Sequence, residues 1–197
     1  MERSENDLLN LLTRYFDWLQ RRLRNIREFS ADPECIYRLS IGSAPRDTTL
    51  TDGTRFRRGE PIGILHIWGD HIPKISPSGI TLDWATHMSR ALRKSNRLLA
   101  RYVADEQSLR SLPAFGNDAF LFYTKATVLL LERVGFTVQE QVPADGLWER
   151  FRLQIVCRWT WLLRRAFNQQ SVRDLKPSDL QYRPIWLSRR VLLEKYG

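Results

Sequence analysis

The chain contains few cysteines and no long apolar run. These two features argue against a disulfide-stabilised protein and against a membrane-spanning protein. The two cysteines, Cys35 and Cys157, are too few for a disulfide framework and match no metal-binding spacing. No apolar run approaches the ~20 residues of a membrane-spanning helix. The N-terminus lacks the basic head, apolar stretch and small-residue cleavage site of a secretory signal. We therefore expect a cytoplasmic protein with two packed thiols and no cofactor.

Several motifs of catalysis and nucleic-acid binding are also absent from the sequence. It has no Gly-x-Ser-x-Gly motif, and no helix-turn-helix, zinc finger or RNA-binding aromatic motif. A helix at 119–133 followed by a strand is similar to part of the acetyl-CoA-dependent acyltransferase fold. The glycine-rich pyrophosphate loop of such enzymes is missing. An acyltransferase-like enzyme and a nucleic-acid-binding protein stay as lesser alternatives, and the sequence leaves open whether the protein is an enzyme.

The chain is rich in hydrophobic residues and carries a net positive charge. It is 43% hydrophobic and 11% aromatic, which is enough for one domain with a substantial core. The net charge is +9, and residues 149–197 hold 11 Lys/Arg against 4 Asp/Glu. A surface of this kind attracts polyanions, including acidic lipid headgroups, phosphorylated sugars and nucleic acid.

Hydrophobic periodicity predicts an α+β fold, with a small antiparallel or mixed sheet packed by several amphipathic helices in a single domain. Turn signals at 51–54 and 58–61 make the early connections short, so antiparallel pairing is expected there. The predicted strands are 35–41, 47–50, 54–58, 61–68, one near 112–116, and 135–141. The predicted helices after residue 30 are Leu82–Ala104, 119–133, Leu147–Asn168 and Ile185–Lys195.

An N-terminal amphipathic helix is predicted from Asn6 to Phe29, which divides the chain into residues 1–30 and a domain of residues 31–197. Its apolar face is wide enough to require a cover. Packing against the core and contact with a membrane surface both remain open for this face.

The stretch 59–73 is typical of a buried strand that ends in a polar, aromatic tip. Residues 62–67 are apolar except for one glycine and His66, and Pro73 closes the run. The candidate catalytic residues are His66, Asp70 and His71, because a histidine beside a carboxylate is oriented and made more basic.

Two further residues of this stretch are candidate ligand contacts, Glu60 as a polar group and Trp68 as an apolar or sugar-stacking wall. Metal binding by His66, Asp70, His71 and His87 is an alternative, but the spacing matches no established metal motif and we expect no metal. A hydrogen-bonded histidine packed in a sheet explains His66 equally well.

The long helix predicted after this strand carries a stripe of cations. Between residues 90 and 101 no acidic residue interrupts them, and arginine side chains match phosphate oxygens. A solvated face and an anion-binding face both remain open. The candidate ligand-binding residues of the stripe are Arg90, Arg93, Lys94 and Arg97, with Arg101 one turn further.

The helix at 147–168 combines tryptophan and arginine, which is the composition of a membrane-interface element and also of a helix docked on a protein core. Docking on the core is the expected arrangement. The predicted apolar strip consists of Trp148, Phe151, Ile155, Trp159, Leu162 and Leu163.

These motifs together resemble the YkoP-like family, whose domain occurs alone and attached to bacterial polysaccharide deacetylases. The resemblance spans about residues 35–197. It is carried by the 59–73 stretch just described, by Leu82–Ala85 and the helix with Arg93, Ser95 and Leu98–Ala100, by Glu132–Phe136, and by Trp186–Arg189.

The resemblance implies a role in bacterial cell-envelope polysaccharide or glycolipid metabolism, without naming a reaction. Family members often carry asparagine just after the histidine strand, where this chain has Gly69 and Asp70, so a role for an amide is not transferred. No deacetylase domain is recognisable among the 197 residues, so deacetylation is not predicted.

Two functions follow as hypotheses. In the first, a polar pocket at the end of strand 61–68 binds an anionic, phosphorylated or lipid-linked ligand. In the second, the protein is a non-enzymatic accessory that docks on an anionic membrane or on an envelope-biosynthesis enzyme, peripheral to the inner face of the cell membrane. Nucleic acid is not an expected partner.

Overall fold

The computed structural model describes residues 15, 18–19, 22–75, 81–121, 125–140, 146–167, 176 and 181–197, and within them it forms the predicted α+β fold. The strands are β1 (Tyr37–Ser43), β2 (Thr48–Thr49), β3 (Arg55–Phe56), β4 (Pro61–Ile67), β5 (Ala114–Leu121), β6 (Thr137–Val138) and β7 (Gln181–Ser188). The helices are α1 (Leu82–Asp105), α2 (Lys125–Arg133), α3 (Gly146–Phe167) and α4 (Arg189–Tyr196). Short 3-10 turns lie at Gly69–His71 and Gln107–Leu109.

Five strands form one mixed sheet in the order β1-β4-β5-β7-β6, and β2 pairs with β3 as a separate hairpin. The neighbours β4 and β5 are parallel, because α1 lies between them in the chain and forms a crossover connection. All other neighbours are antiparallel. The antiparallel pairing predicted at the 51–54 turn is therefore confirmed, whereas β3 and β4, which flank the 58–61 turn, lie in different sheets.

Helix α1 packs on one face of the sheet through the apolar side that the sequence predicts. Its N-terminus is capped by Thr81, whose hydroxyl accepts a hydrogen bond from the N–H of Trp84 at 3.2 Å. Ser95, fully buried, accepts a hydrogen bond at 2.9 Å from the N–H of Ile36 and so fixes α1 against the segment that leads into β1. The buried residues of α1 are Ala91, Leu92, Ser95, Asn96, Leu99, Ala100 and Val103.

The β2–β3 hairpin covers part of the opposite face of the sheet. Phe56 meets the ring of Trp186 edge to face, with 5.4 Å between ring centroids. Asp52, in the turn of the hairpin, accepts a 2.7 Å hydrogen bond from the hydroxyl of Ser188. Since that hydroxyl also accepts the N–H of Val191, Asp52 links the hairpin to the first turn of α4.

The closing segment differs most from the sequence prediction. A helix was predicted at Ile185–Lys195, but residues 181–188 are strand β7 and the helix begins only at Arg189. Residues 184–188 are all buried, and a strand buried on both faces has a continuous apolar run instead of alternation. Periodicity cannot distinguish such a run from a buried helix.

Two other helix predictions also change. The helix predicted at 119–133 begins at Lys125, because residues 119–121 pair with β7 as the end of β5. The N-terminal helix was predicted to continue to Phe29. Residues 15, 18–19 and 22–23 are helical, but Asn25 has a left-handed backbone (φ 48°) and Arg27 pairs with Leu39 of β1. Residues 1–14, 16–17 and 20–21 lie outside the described residues.

Candidate functional site

The polar tip of β4 leads directly into the 3-10 turn Gly69–His71. The N–H of Trp68 donates to the carbonyl of Ile36 at 2.8 Å, which continues the pairing with the chain before β1 by one residue. His71 then folds back beneath the strand end, and its Nδ1 donates to the carbonyl of Cys35 at 2.8 Å. The structure therefore brings Trp68, Asp70 and His71 together at one end of β4.

Trp68 lies in a stack of three planar groups. The ring of His71 is parallel to it at 3.8 Å between centroids, and the Arg38 guanidinium lies 4.2 Å from the Trp68 ring centroid. Two planar groups this close to one ring centre cannot share a face, so they occupy opposite faces. Arg38 is only 5% exposed and its Nε lies 3.4 Å from Glu28. A sugar could stack on Trp68, as the sequence analysis expected, only by displacing Arg38 or His71.

His66 has a hydroxyl partner across the sheet. Its Nε2 lies 2.9 Å from Oγ of Ser40, on the strand β1 that pairs with β4. The hydroxyl of Ser40 is thus one partner of His66 in the sheet. The third histidine, His87, has a carboxylate neighbour in Asp83, with 3.6 Å between oxygen and nitrogen.

Glu60 is separated from the tip. It lies at the start of β4, where its carboxylate accepts the N–H of Arg57 at 3.0 Å. Seven residues of strand, at ~3.4 Å per residue, separate it from Trp68 by more than ~20 Å. Glu60 and the tip residues therefore lie at opposite ends of β4.

The cationic stripe of α1 is only partly available. Lys94 Nζ lies 2.6 Å from Glu34 and 2.9 Å from Asp32, and its hydrogen bond to Asp32 lowers the pKa of that carboxyl. Lys94 is thus neutralised by the segment that leads into β1. Arg90, Arg93 and Arg97, with Arg101 beyond them, are exposed to solvent.

Metal chemistry has little support from the geometry. Across the described ranges, no group of three or more His, Cys, Asp or Glu side chains converges as a metal-binding set. The two cysteines behave as packed thiols, since burial raises the pKa of both Cys35 and Cys157.

Two cavities in the described part of the chain lie beside residues 24–28. One, of about 530 Å³, is lined by Trp18, Arg22, Asn25, Ile26 and Glu28. The other, of about 70 Å³, lies between residues 24–27 and the outer edge of β1. None of His66, Trp68, Asp70 and His71 lines either cavity.

One side of α3 faces solvent, although the sequence predicts that it faces the protein core. Its first half was predicted to face the core, but Leu147, Trp148, Phe151 and Ile155 are 83%, 78%, 54% and 53% exposed. The opposite side of the helix, with Leu153, Cys157 and Trp161, is half-buried. We call Trp148, Phe151 and Ile155 the apolar stripe of α3. The error arose because α3 has apolar residues on both sides, and the sequence does not say which side meets the protein.

The tip of β4 supports this helix, since α3 contacts the turn Gly69–His71. The stacked rings of Trp68 and His71 lie in and beside that turn, next to α3. The spacing of three and four residues between Trp148, Phe151 and Ile155, with arginines on both sides, identifies the stripe in the sequence but not its exposure.

No helix in the described part of the chain is both long enough and apolar enough to cross a bilayer. No protein-family model, curated protein or solved structure matches this chain.

Proposed function

We propose that this protein is a non-enzymatic accessory protein that docks on an anionic membrane surface through α3. The observation that carries the proposal is the apolar stripe of α3, in which a tryptophan, a phenylalanine and an isoleucine are each more than half exposed. In the absence of a partner, such a continuous apolar strip is unfavourable in water, and its presence marks an interaction surface.

The arginines around the stripe indicate the kind of surface it meets. Arg152 follows Trp148 by four residues and Arg158 follows Ile155 by three, so each lies beside the stripe on the helix surface. Arg150 and Arg165 are exposed on the same helix. Apolar and aromatic side chains flanked by cations are typical of helices that lie in the interface of an anionic bilayer.

The energies involved are sufficient for reversible docking. Full burial of a side chain such as Phe or Ile is worth roughly 1.5–3 kcal/mol, and an arginine near an anionic leaflet contributes about 1 kcal/mol. Partial burial of three apolar side chains with two arginines therefore amounts to several kcal/mol. Such a contact depends on ionic strength, because the electrostatic part is screened by salt.

The proposal also states where the protein acts and in which cellular process. We place the protein in the cytoplasm at the inner face of the cell membrane, where anionic lipid headgroups attract basic segments. Its resemblance to the YkoP-like family supports a role in bacterial envelope polysaccharide or glycolipid metabolism. In that setting, the protein would bring a partner enzyme to its lipid-linked substrate.

Co-sedimentation with lipid vesicles tests the proposal. We expect the full-length protein to pellet with vesicles rich in phosphatidylglycerol, to pellet weakly with pure phosphatidylcholine vesicles, and to be partly released by added salt. Equal recovery in the supernatant with and without anionic vesicles would contradict docking.

A second candidate is binding of a phosphorylated sugar or a lipid-linked phosphate by α1. It is favoured by the exposure of Arg90, Arg93 and Arg97 on a helix with no acidic residue between 90 and 101. The test is a calorimetric titration with inorganic pyrophosphate of the native protein and of a variant with all three arginines changed to glutamine. Loss of binding in the variant supports this site, and no binding to the native protein contradicts it.

A further inference from the structure

The outer edge of the sheet at β1 is incompletely paired. Strand β1 is the first in the sheet order, so only β4 pairs with its full length. On the outer side, Arg27 and Leu39 exchange two backbone hydrogen bonds of 2.7 and 3.0 Å. These two bonds show that the backbone N–H and C=O of Leu39 point away from β4, and they therefore define which residues of β1 point to the open side of the sheet.

Strand alternation extends this assignment to Ile41 and Ser43. Since the N–H and C=O of Leu39 point to the outer side, those of Ile41 and Ser43 do so as well. Within the described residues, neither has a backbone partner on that side. The side chain of Ile41 is 49% exposed, so the edge is open to solvent at this point.

The chain itself leaves the edge because of Asn25. In the register set by Arg27 and Leu39, Asn25 and Leu23 would be the next partners of Ile41 and Ser43. Asn25 has a left-handed backbone (φ 48°) and Leu23 is helical, so the pairing ends after one bridge. The edge is left open by this local turn of the backbone.

A small cavity lies where the two segments separate. Its volume is about 70 Å³, which is room for one small apolar side chain but not for a helix. The apolar part of its lining comes from Leu39, Ile41, Tyr102 and Leu109. The polar part consists of Arg24, Asn25, Arg27 and Ser40 and includes no carboxylate. An extended segment paired with β1 would place alternate side chains on the cavity side of the sheet.

We propose that the edge of β1 at Ile41–Ser43 is a docking site for an extended, acidic peptide segment of a partner protein, which adds a strand to the sheet. Backbone hydrogen bonds to Ile41 and Ser43 hold the segment. One small apolar side chain of the segment enters the cavity, and its acidic residues face Arg24 and Arg27. The site is separate from the stripe of α3 and does not depend on membrane docking.

The test uses the acetylated and amidated pentapeptide Glu-Thr-Val-Thr-Glu as a probe, in which the valine and both glutamates lie on the same face of the extended chain. It is titrated into the nitrogen-15-labelled protein while the amide resonances are followed, and the shifts give the affinity. We expect the largest shifts at the amides of Ile41 and Ser43. Ile41→Pro removes the outward N–H at an edge position, where proline is tolerated, and should weaken binding about tenfold or more. Ile41→Val keeps that N–H and should bind within about twofold of the native protein.

A second probe keeps the proposal testable if the proline variant does not fold. A peptide of the same sequence, N-methylated at the valine and both threonines, keeps the charges and side chains but loses three backbone donors. Equal affinity for both peptides would show charge attraction alone and overturn strand addition. Shifts confined to α1 would overturn the location. A dimer that Ile41→Pro converts to a monomer would assign the edge to a second copy of the chain and overturn the peptide proposal.

Discussion

At the tip of β4, the polar side chains are held by protein partners. Trp68 lies between Arg38 and His71, and the ring of His71 is fixed by the carbonyl of Cys35. The sequence predicts that this tip is polar and aromatic, but not that Arg38 completes the stack. Arg38 precedes Trp68 by thirty residues, and their proximity follows from the β1–β4 register, which one sequence does not reveal.

At the same scale, two cations should differ sharply in their contribution to membrane binding. Arg158→Gln removes a charge beside the stripe of α3, while Lys94→Gln removes one that Asp32 and Glu34 already neutralise. We expect Arg158→Gln to lower vesicle affinity about fivefold, from a loss of about 1 kcal/mol, and Lys94→Gln to lower it less than about twofold. Vesicle co-sedimentation measures both. Equal losses would show that only net charge matters.

Asp52 gives a prediction about stability and pH. Burial of this carboxyl raises its pKa, but hydrogen bonds from Ser188 and Thr54 and the charge of Arg190 outweigh burial, so the pKa is lowered overall. A lowered folded-state pKa means that the stabilisation is present above the unfolded value of about 4 and is lost as the pH falls through the folded value. Asp52→Asn should therefore reduce the free energy of unfolding by about 2 kcal/mol near neutral pH.

Urea denaturation at several pH values checks this prediction. The difference between the native protein and Asp52→Asn should shrink as the pH falls below about 4, because the native carboxyl is then becoming protonated. A difference that stays constant down to the lowest pH would contradict the role given to the ionised carboxylate.

At the scale of secondary-structure elements, α3 and β7 show where the sequence is ambiguous. The boundaries of α3 were predicted to within one residue, yet the side of it that faces the protein was not. For β7, an apolar run buried on both faces was mistaken for a helix. In both cases the local pattern is compatible with two arrangements, and contacts with distant parts of the chain select one.

The stripe of α3 can be tested by a single substitution. Phe151→Ser should lower vesicle affinity about tenfold, because it removes roughly 1.5 kcal/mol of apolar burial in the interface. Leu129→Ser on α2 is the matched control, since Leu129 is 64% exposed and lies on another helix. Vesicle co-sedimentation measures the affinity of both variants. An equal loss of vesicle affinity in Leu129→Ser would show that the apolar contact is not specific to α3.

At the scale of the whole molecule, the sheet order is the feature that the sequence could not supply. The α+β class and the early hairpin follow from periodicity and turn residues, but the central position of β5 and β7 depends on pairing between residues about seventy positions apart. Gly116 marks this pairing, because a side chain there would overlap the backbone of Ile185 and the ring of Trp186.

Gly116→Ala therefore tests the β5–β7 register. Backbone atoms of Ile185 cannot move aside without breaking the ladder, so we expect a loss of about 3 kcal/mol in the free energy of unfolding or failure to fold. Thermal denaturation followed by circular dichroism measures it. A variant as stable as the native protein would contradict the register.

The most direct test of membrane docking is the depth of Trp148 in the bilayer. Emission of the native protein and of Trp148→Phe is compared on anionic vesicles with and without lipids brominated on the acyl chains. If the stripe of α3 enters the interface, brominated lipid quenches a component of the native emission that Trp148→Phe lacks. Identical quenching of the two proteins, with both bound to the vesicles, would show that α3 faces away from the membrane and contradict the proposed function.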